Sequence, residues 1–91
     1  MSHRNLMSGV YRHYKNHLYL VLGYAGDASI DGRVVVVYVG LDLDGAKSSF
    51  RMRVREEEDF FAVVDPATGL GVEPGQEGVP RFVYLGPAVN L

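Results

Sequence analysis

The chain has no cysteine, only three histidines and four prolines in its 91 residues, and no apolar run long enough to span a bilayer. Without cysteine there is no disulfide to staple the fold. The commonest zinc ligand is missing too, so only His3, His13 and His17 could offer ring nitrogens and no metal or other cofactor is expected. Absent thiols point to a reducing cytoplasm. The longest apolar stretch, residues 34–41, is interrupted by Gly40 and falls well short of the roughly 18 residues that cross a membrane. The opening MSHRNLMSG has no apolar segment of the signal-peptide kind, so no membrane partner is expected.

What the chain does have is glycine, valine and tyrosine. At 91 residues it makes one domain, near the lower end of what buries a sufficient core unaided. Net charge is -2, which argues against a general nucleic-acid binder. Its distribution is uneven. Residues 1–55 hold eight Lys and Arg against four acids, a local +4; residues 56–91 hold Arg81 against seven acids, a local -6. In so small a domain such halves are expected to meet and neutralise each other.

Eleven glycines separate short runs rich in Val, Tyr and Phe, the composition of strands joined by tight turns. Strands are expected over 9–13, 18–24, 33–40, 48–55 and 79–85. The first two are joined by Tyr14-Lys15-Asn16-His17, with Asn16 suited to a left-handed conformation. RVVVVYVG over 33–40 reads as a strand buried on both faces, and Asp44-Gly45 as the hairpin turn after it. Over 48–55, Phe50, Met52 and Val54 alternate with Arg51, Arg53 and Arg55, the apolar set being expected inside. REEEDFF predicts one helical turn over 56–59, with Phe60 or Phe61 plugging the end of the barrel. Residues 65–78, with four glycines and two prolines, read as a mobile surface loop. The last strand contains Pro80 and so belongs at an edge.

The expectation is an all-β domain, a small SH3-like antiparallel barrel or roll of five to six short strands with one short helical turn. It spans 9–85, between a flexible N-terminal tail over 1–8 and a C-terminal tail over 86–91. Its core is expected from Val10, Tyr19, Val21, Val35, Val37, Val39, Phe50, Met52, Val54, Phe60 and Phe82.

The run GVYRHYKNHLY resembles the opening signature of a bacterial family, domain of unknown function 1653. That signature is Gly-x-Tyr-x-His-x-Lys-Gly-x-x-Tyr; Gly9, Tyr11, His13, Lys15 and Tyr19 match, and Asn16 replaces the second glycine. Val36 to Tyr38 resembles the family's Val-x-Tyr strand, Arg55 to Phe60 its Arg-Pro-x-x-x-Phe element, and Arg81-Phe82 its closing Arg-Phe. Glu56 stands where the family has proline, and Arg53 where it has an aromatic residue. The resemblance implies an SH3-like roll and no established activity.

Candidate function gathers on the first hairpin and the arginine strand. His13 and His17 flank a turn and could face one another, but a third metal ligand is lacking, and the family match at His13 suggests a structural hydrogen bond from its ring. Nucleic acid could use Arg12, Lys15, Arg51, Arg53 and Arg55, with Tyr11, Tyr14 and Tyr19 as stacking partners. Against it, Glu56 to Asp59 follow the arginines directly and would repel phosphate; the plain alternative is an arginine ladder paired to those acids. Ser8, Ser29, Ser48 and Ser49 lie in turns without triad-like partners, so the domain is read as no enzyme. The preferred reading is an interaction module that binds a protein or peptide through its aromatic face, with single-stranded nucleic acid as the alternative. The binding residues expected are Tyr11, Arg12, His13, Tyr14, Lys15, Tyr19, Arg53 and Arg55. A homodimer through the edge at 79–85 is a further expectation.

Overall fold

The computed structural model describes residues 5–41 and 52–88. Their order is β1 (Gly9–His13), β2 (Leu18–Gly26), β3 (Val34–Gly40), β4 (Met52–Glu56), α1 (Glu57–Phe60), β5 (Val63–Val64), β6 (Val79–Pro80) and β7 (Phe82–Gly86). Five strands form one antiparallel sheet in the order β4-β3-β2-β1-β7, and β5 pairs with β6 in a small second sheet. The last strand thus returns beside the first, at the edge, while Pro80 lies in β6 of the small sheet. The domain is all-β with one helical turn, in agreement with the sequence. Among the described residues no pairing joins β4 to β7, so the large sheet is open. The Asp44-Gly45 reversal, Phe50 and Arg51 lie outside the described residues.

Cross-strand partners share a face, so register decides what is inside. Val21 opposes Tyr38, Val36 opposes Arg55, and Tyr11 opposes both Tyr19 and Tyr84. The inner face therefore carries Tyr11, Val21, Val36 and Tyr38, which form the core cluster with Phe60 and Phe82. The Phe60 and Phe82 rings stack with centroids 4.3 Å apart, and Tyr11 and Tyr38 meet Phe60 at 5.4 and 6.0 Å. Such offset and edge contacts add about 0.5–1.5 kcal/mol each to the burial itself.

This parity corrects part of the expected core. Val21, Val35, Phe60 and Phe82 are buried, but Val10, Tyr19, Val37 and Val39 are half-buried, and Met52 and Val54 are each 61% exposed. An unbroken valine run carries no period-2 signal, so Val36 and Tyr38 were equally good candidates for the inside. Once β3 turns Tyr38 inward, β4 must follow: Val37 opposes Val54 and Val39 opposes Met52 on the outer face, and Arg53 and Arg55 turn inward. An edge strand tolerates this, because its inner side chains reach past the core into solvent. Arg55 does so while its Nε donates to the Tyr38 hydroxyl at 3.2 Å.

α1 forms one residue later than expected and delivers Phe60 to the core at 1% exposure, with Phe61 partly buried against it. The expected final strand divides at Arg81. Its N–H donates to the Ala62 carbonyl at 2.9 Å, so β6 serves the small sheet and β7 the large one. β5 was not foreseen, two valines being too few to read as a strand. Within residues 65–78 the Asp65 carboxylate accepts from the Ala67 N–H at 2.8 Å and the Gln76 side-chain oxygen from the Glu73 N–H at 2.8 Å, which shape local turns. No helix among the described residues is long and apolar enough to cross a membrane.

Candidate functional site

The β1–β2 turn is built around His13. The His13 N–H donates to the His17 carbonyl at 2.9 Å, and the Asn16 N–H to the His13 carbonyl at 2.7 Å. Asn16 has φ 73°, the left-handed conformation expected of it. The His13 ring also participates: its Nδ1 accepts the Lys15 N–H at 3.1 Å. An imidazole that accepts at Nδ1 must be unprotonated there, so the turn requires the neutral ring. At the other end of β1, Gly9 has φ 141° and a Cβ there would strike the Gly86 carbonyl, so only glycine fits. The signature glycine and histidine thus both have structural reasons.

Around His13 lie Tyr14, Phe82 and Tyr19, with ring centroids 4.5, 5.0 and 6.2 Å away. Around those rings lie cations. Burial first, then the positive charges of Arg55, Arg81, Lys15 and His17, push the His13 pKa down to about 4. The Lys15 ammonium sits 5.9 Å from the Tyr14 ring, and Arg81 donates from Nε to the Asp59 carbonyl at 2.9 Å. Tyr38 links the group to the core, 5.3 Å from Tyr19 and 5.4 Å from Phe82, and accepts from Arg55.

Two of the four acids expected to neutralise the arginine ladder, Glu56 and Glu57, are engaged elsewhere. Glu56 binds Arg33 at 2.8 Å, and the Tyr24 hydroxyl donates to the Glu57 carboxylate. Arg33 also approaches Asp27 at 3.7 Å. Among the described residues Lys15, Arg53, Arg55 and Arg81 make no ion pair. The physical reason is register: Glu56 opposes Val35 on the outer face, and Arg53 and Arg55 occupy the inner one.

Of the eight residues expected to bind, the inner face brings together His13, Tyr14, Lys15, Tyr19 and Arg55, with Arg53 beside them at the β4 edge. Two fall elsewhere. Tyr11 is 5% exposed in the core, its hydroxyl donates to the Met7 carbonyl at 2.7 Å, and burial pushes its phenol pKa up. Arg12 opposes Leu18 and Val83 on the outer face. Sequence reasoning passed over Arg81, a lone cation in the acidic half; its place beside Phe82, in the Arg-Phe element, was the available signal. Among the described residues no three His, Asp or Glu side chains group to hold a metal.

A second feature is an open cleft of about 810 Å³ between α1 and residues 71–76, lined by Phe61, Val63, Val72 and Pro74 with Glu58 and Glu73 at its sides. It carries no cation.

A small five-stranded antiparallel sheet completed by one helical turn and a two-stranded sheet is the class of fold. The chain matches the model of a family described as a protein of unknown function, DUF1653, over residues 9–84, and it belongs to that family. It is similar to a crystal structure of a DUF1653 protein from Bordetella bronchiseptica, at 36% identity and TM-score 0.72, covering 99% of this chain and 100% of that one. No curated protein matches the sequence.

Proposed function

We propose that the domain is a non-enzymatic interaction module of the cytoplasm that takes an acidic segment of a partner protein on its inner basic and aromatic rim. The observation that carries this reading is a set of cations: among the described residues Lys15, Arg53, Arg55 and Arg81 share one rim and make no ion pair, while Glu56 and Glu57 are held by Arg33 and Tyr24. Guanidinium groups so placed can fork onto carboxylates. The neutral, partly buried His13 adds a ring that contributes no further charge. The lack of cysteine supports the cytoplasmic assignment.

Single-stranded nucleic acid is the second ligand for such a surface, since it offers anions together with bases that stack on aromatic rings. The packing disfavours it. Tyr14 lies against His13, with its hydroxyl beside Gly69, and Tyr19 is packed edgewise among His13, Tyr38 and Phe82, so neither ring stands as an open platform.

Fluorescence anisotropy separates the two. A labelled peptide rich in Asp and Glu should bind at low salt, weaken as salt rises, and lose binding in the Arg55→Glu, Arg81→Glu variant. An oligonucleotide of equal length binding more tightly would transfer the face to nucleic acid. Binding of neither ligand at low salt would remove the proposal.

A further inference from the structure

The cleft between α1 and residues 71–76 joins a wet apolar floor to uncompensated negative charge. Val63 is 44% exposed in it, beside Phe61, Val72 and Pro74, and Glu58 and Glu73 stand at its sides. Its walls are fixed by backbone hydrogen bonds. The Phe61 N–H donates to the Glu57 carbonyl at 3.1 Å and the Val72 N–H to the Val63 carbonyl at 3.1 Å, which ties α1, β5 and residues 71–72 together. The far wall is a turn closed from the Gln76 N–H to the Glu73 carbonyl at 3.0 Å. Pro74 and φ 89° at Gly75 make it a type II turn, and the Gln76 side chain accepts the Glu73 N–H from within. The fold thus preforms the cleft, and its volume of about 810 Å³ lies in the range of ordinary ligand pockets.

Charge selects the occupant. Residues 56–80 hold seven acids and no Lys, Arg or His. Glu56 and Glu57 are taken up by Arg33 and Tyr24, but among the described residues Glu58 and Glu73 make no ion pair. Phosphate would be repelled here, which excludes nucleic acid. A purely apolar ligand would strip water from the two carboxylates without replacing it, and a bare cation would leave Phe61, Val63 and Val72 wet. An extended segment meets both demands when it carries an aliphatic or aromatic side chain for the floor and Lys or Arg on either side for the carboxylates. We infer that the cleft binds such a basic, apolar segment of a partner protein. The site lies apart from the cationic rim, has the opposite charge and does not depend on the acidic partner proposed above.

Fluorescence anisotropy on the full chain tests this with a labelled peptide that carries Leu-Phe between pairs of arginines. It should bind at low salt and weaken as salt rises. A control peptide with Ser-Ser in place of Leu-Phe should bind at least about tenfold more weakly. Glu58→Lys with Glu73→Lys should weaken binding of the first peptide at least about tenfold. Glu77→Lys, a reversal outside the cleft, should change it by less than about twofold. Glu58, Glu73 and Glu77 are exposed, so thermal melting of these variants should match the wild type. No binding up to about 1 mM at low salt overturns the inference. Equal binding of the two peptides overturns it as well, since only attraction between net charges would remain. So does binding that survives the cleft pair of lysines, or that falls as far with Glu77→Lys.

Discussion

His13 shows how one residue can be a structural element and part of a site at once. Its Nδ1 accepts from the Lys15 N–H, and its surroundings are positive, so protonation would break the turn and place a new cation beside Arg55, Arg81 and Lys15. The folded ring has a pKa of about 4, against about 6.5 for an unfolded histidine. Between those values the unfolded chain binds the proton and the folded one does not, so stability is complete above about pH 6.5 and falls as pH drops towards 4. Urea midpoints measured from pH 7.5 to 4 should show this decline, and His13→Gln should flatten it. A second residue-scale expectation concerns Gly9. Alanine there must adopt φ 141° and meet the Gly86 carbonyl, a cost of at least about 1–3 kcal/mol. Asn16, by contrast, sits at φ 73° where glycine is also at ease, so Asn16→Gly should change the melting temperature little.

At the scale of elements, β3 decides the architecture. Val36 is fully buried between Tyr24 and Arg55, whereas Val37 is half-buried on the outer face. Val36→Asp should therefore unfold the domain, through an unpaired buried charge. Val37→Asp should leave a folded domain, and circular dichroism on both variants checks the contrast. Strand positions, the left-handed Asn16, the helical turn before Phe60 and the edge placement of the last strand were legible because turn residues and aromatic spacing mark them locally. The parity of β3 and β4 was not. Alternation of Met52 and Val54 with arginines reads as an apolar face turned inward, and at an edge strand the reverse is realised because the aromatic Tyr38 takes the inside and its partners must follow. For the same reason the first hairpin was legible as a cluster but not as a site: sequence alone places Tyr11, Arg12 and His13 together, and the pleat sends them to the core, the outer face and the rim.

For the whole molecule, the two faces of one sheet carry opposite chemistry. The outer face is largely apolar, with Glu56 paired to Arg33 at one end; the inner rim is cationic and lined with rings. The uneven charge along the chain is not simply cancelled on folding. Arg33 and Glu56 join the two halves, a surface pair worth at most about 1 kcal/mol, and the remaining cations of the rim are left without carboxylates among the described residues. On a protein of net charge -2, that local excess of positive charge is what an acidic partner would meet. The most direct test is a nuclear magnetic resonance titration with a peptide rich in Asp and Glu. Shifts should concentrate on the His13 ring, the Lys15 amide and the Arg55 and Arg81 side chains, and fade with added salt, while the Met52 and Val54 methyls stay still. Shifts confined to those methyls or to the 71–76 cleft, or no shifts at low salt, would contradict it.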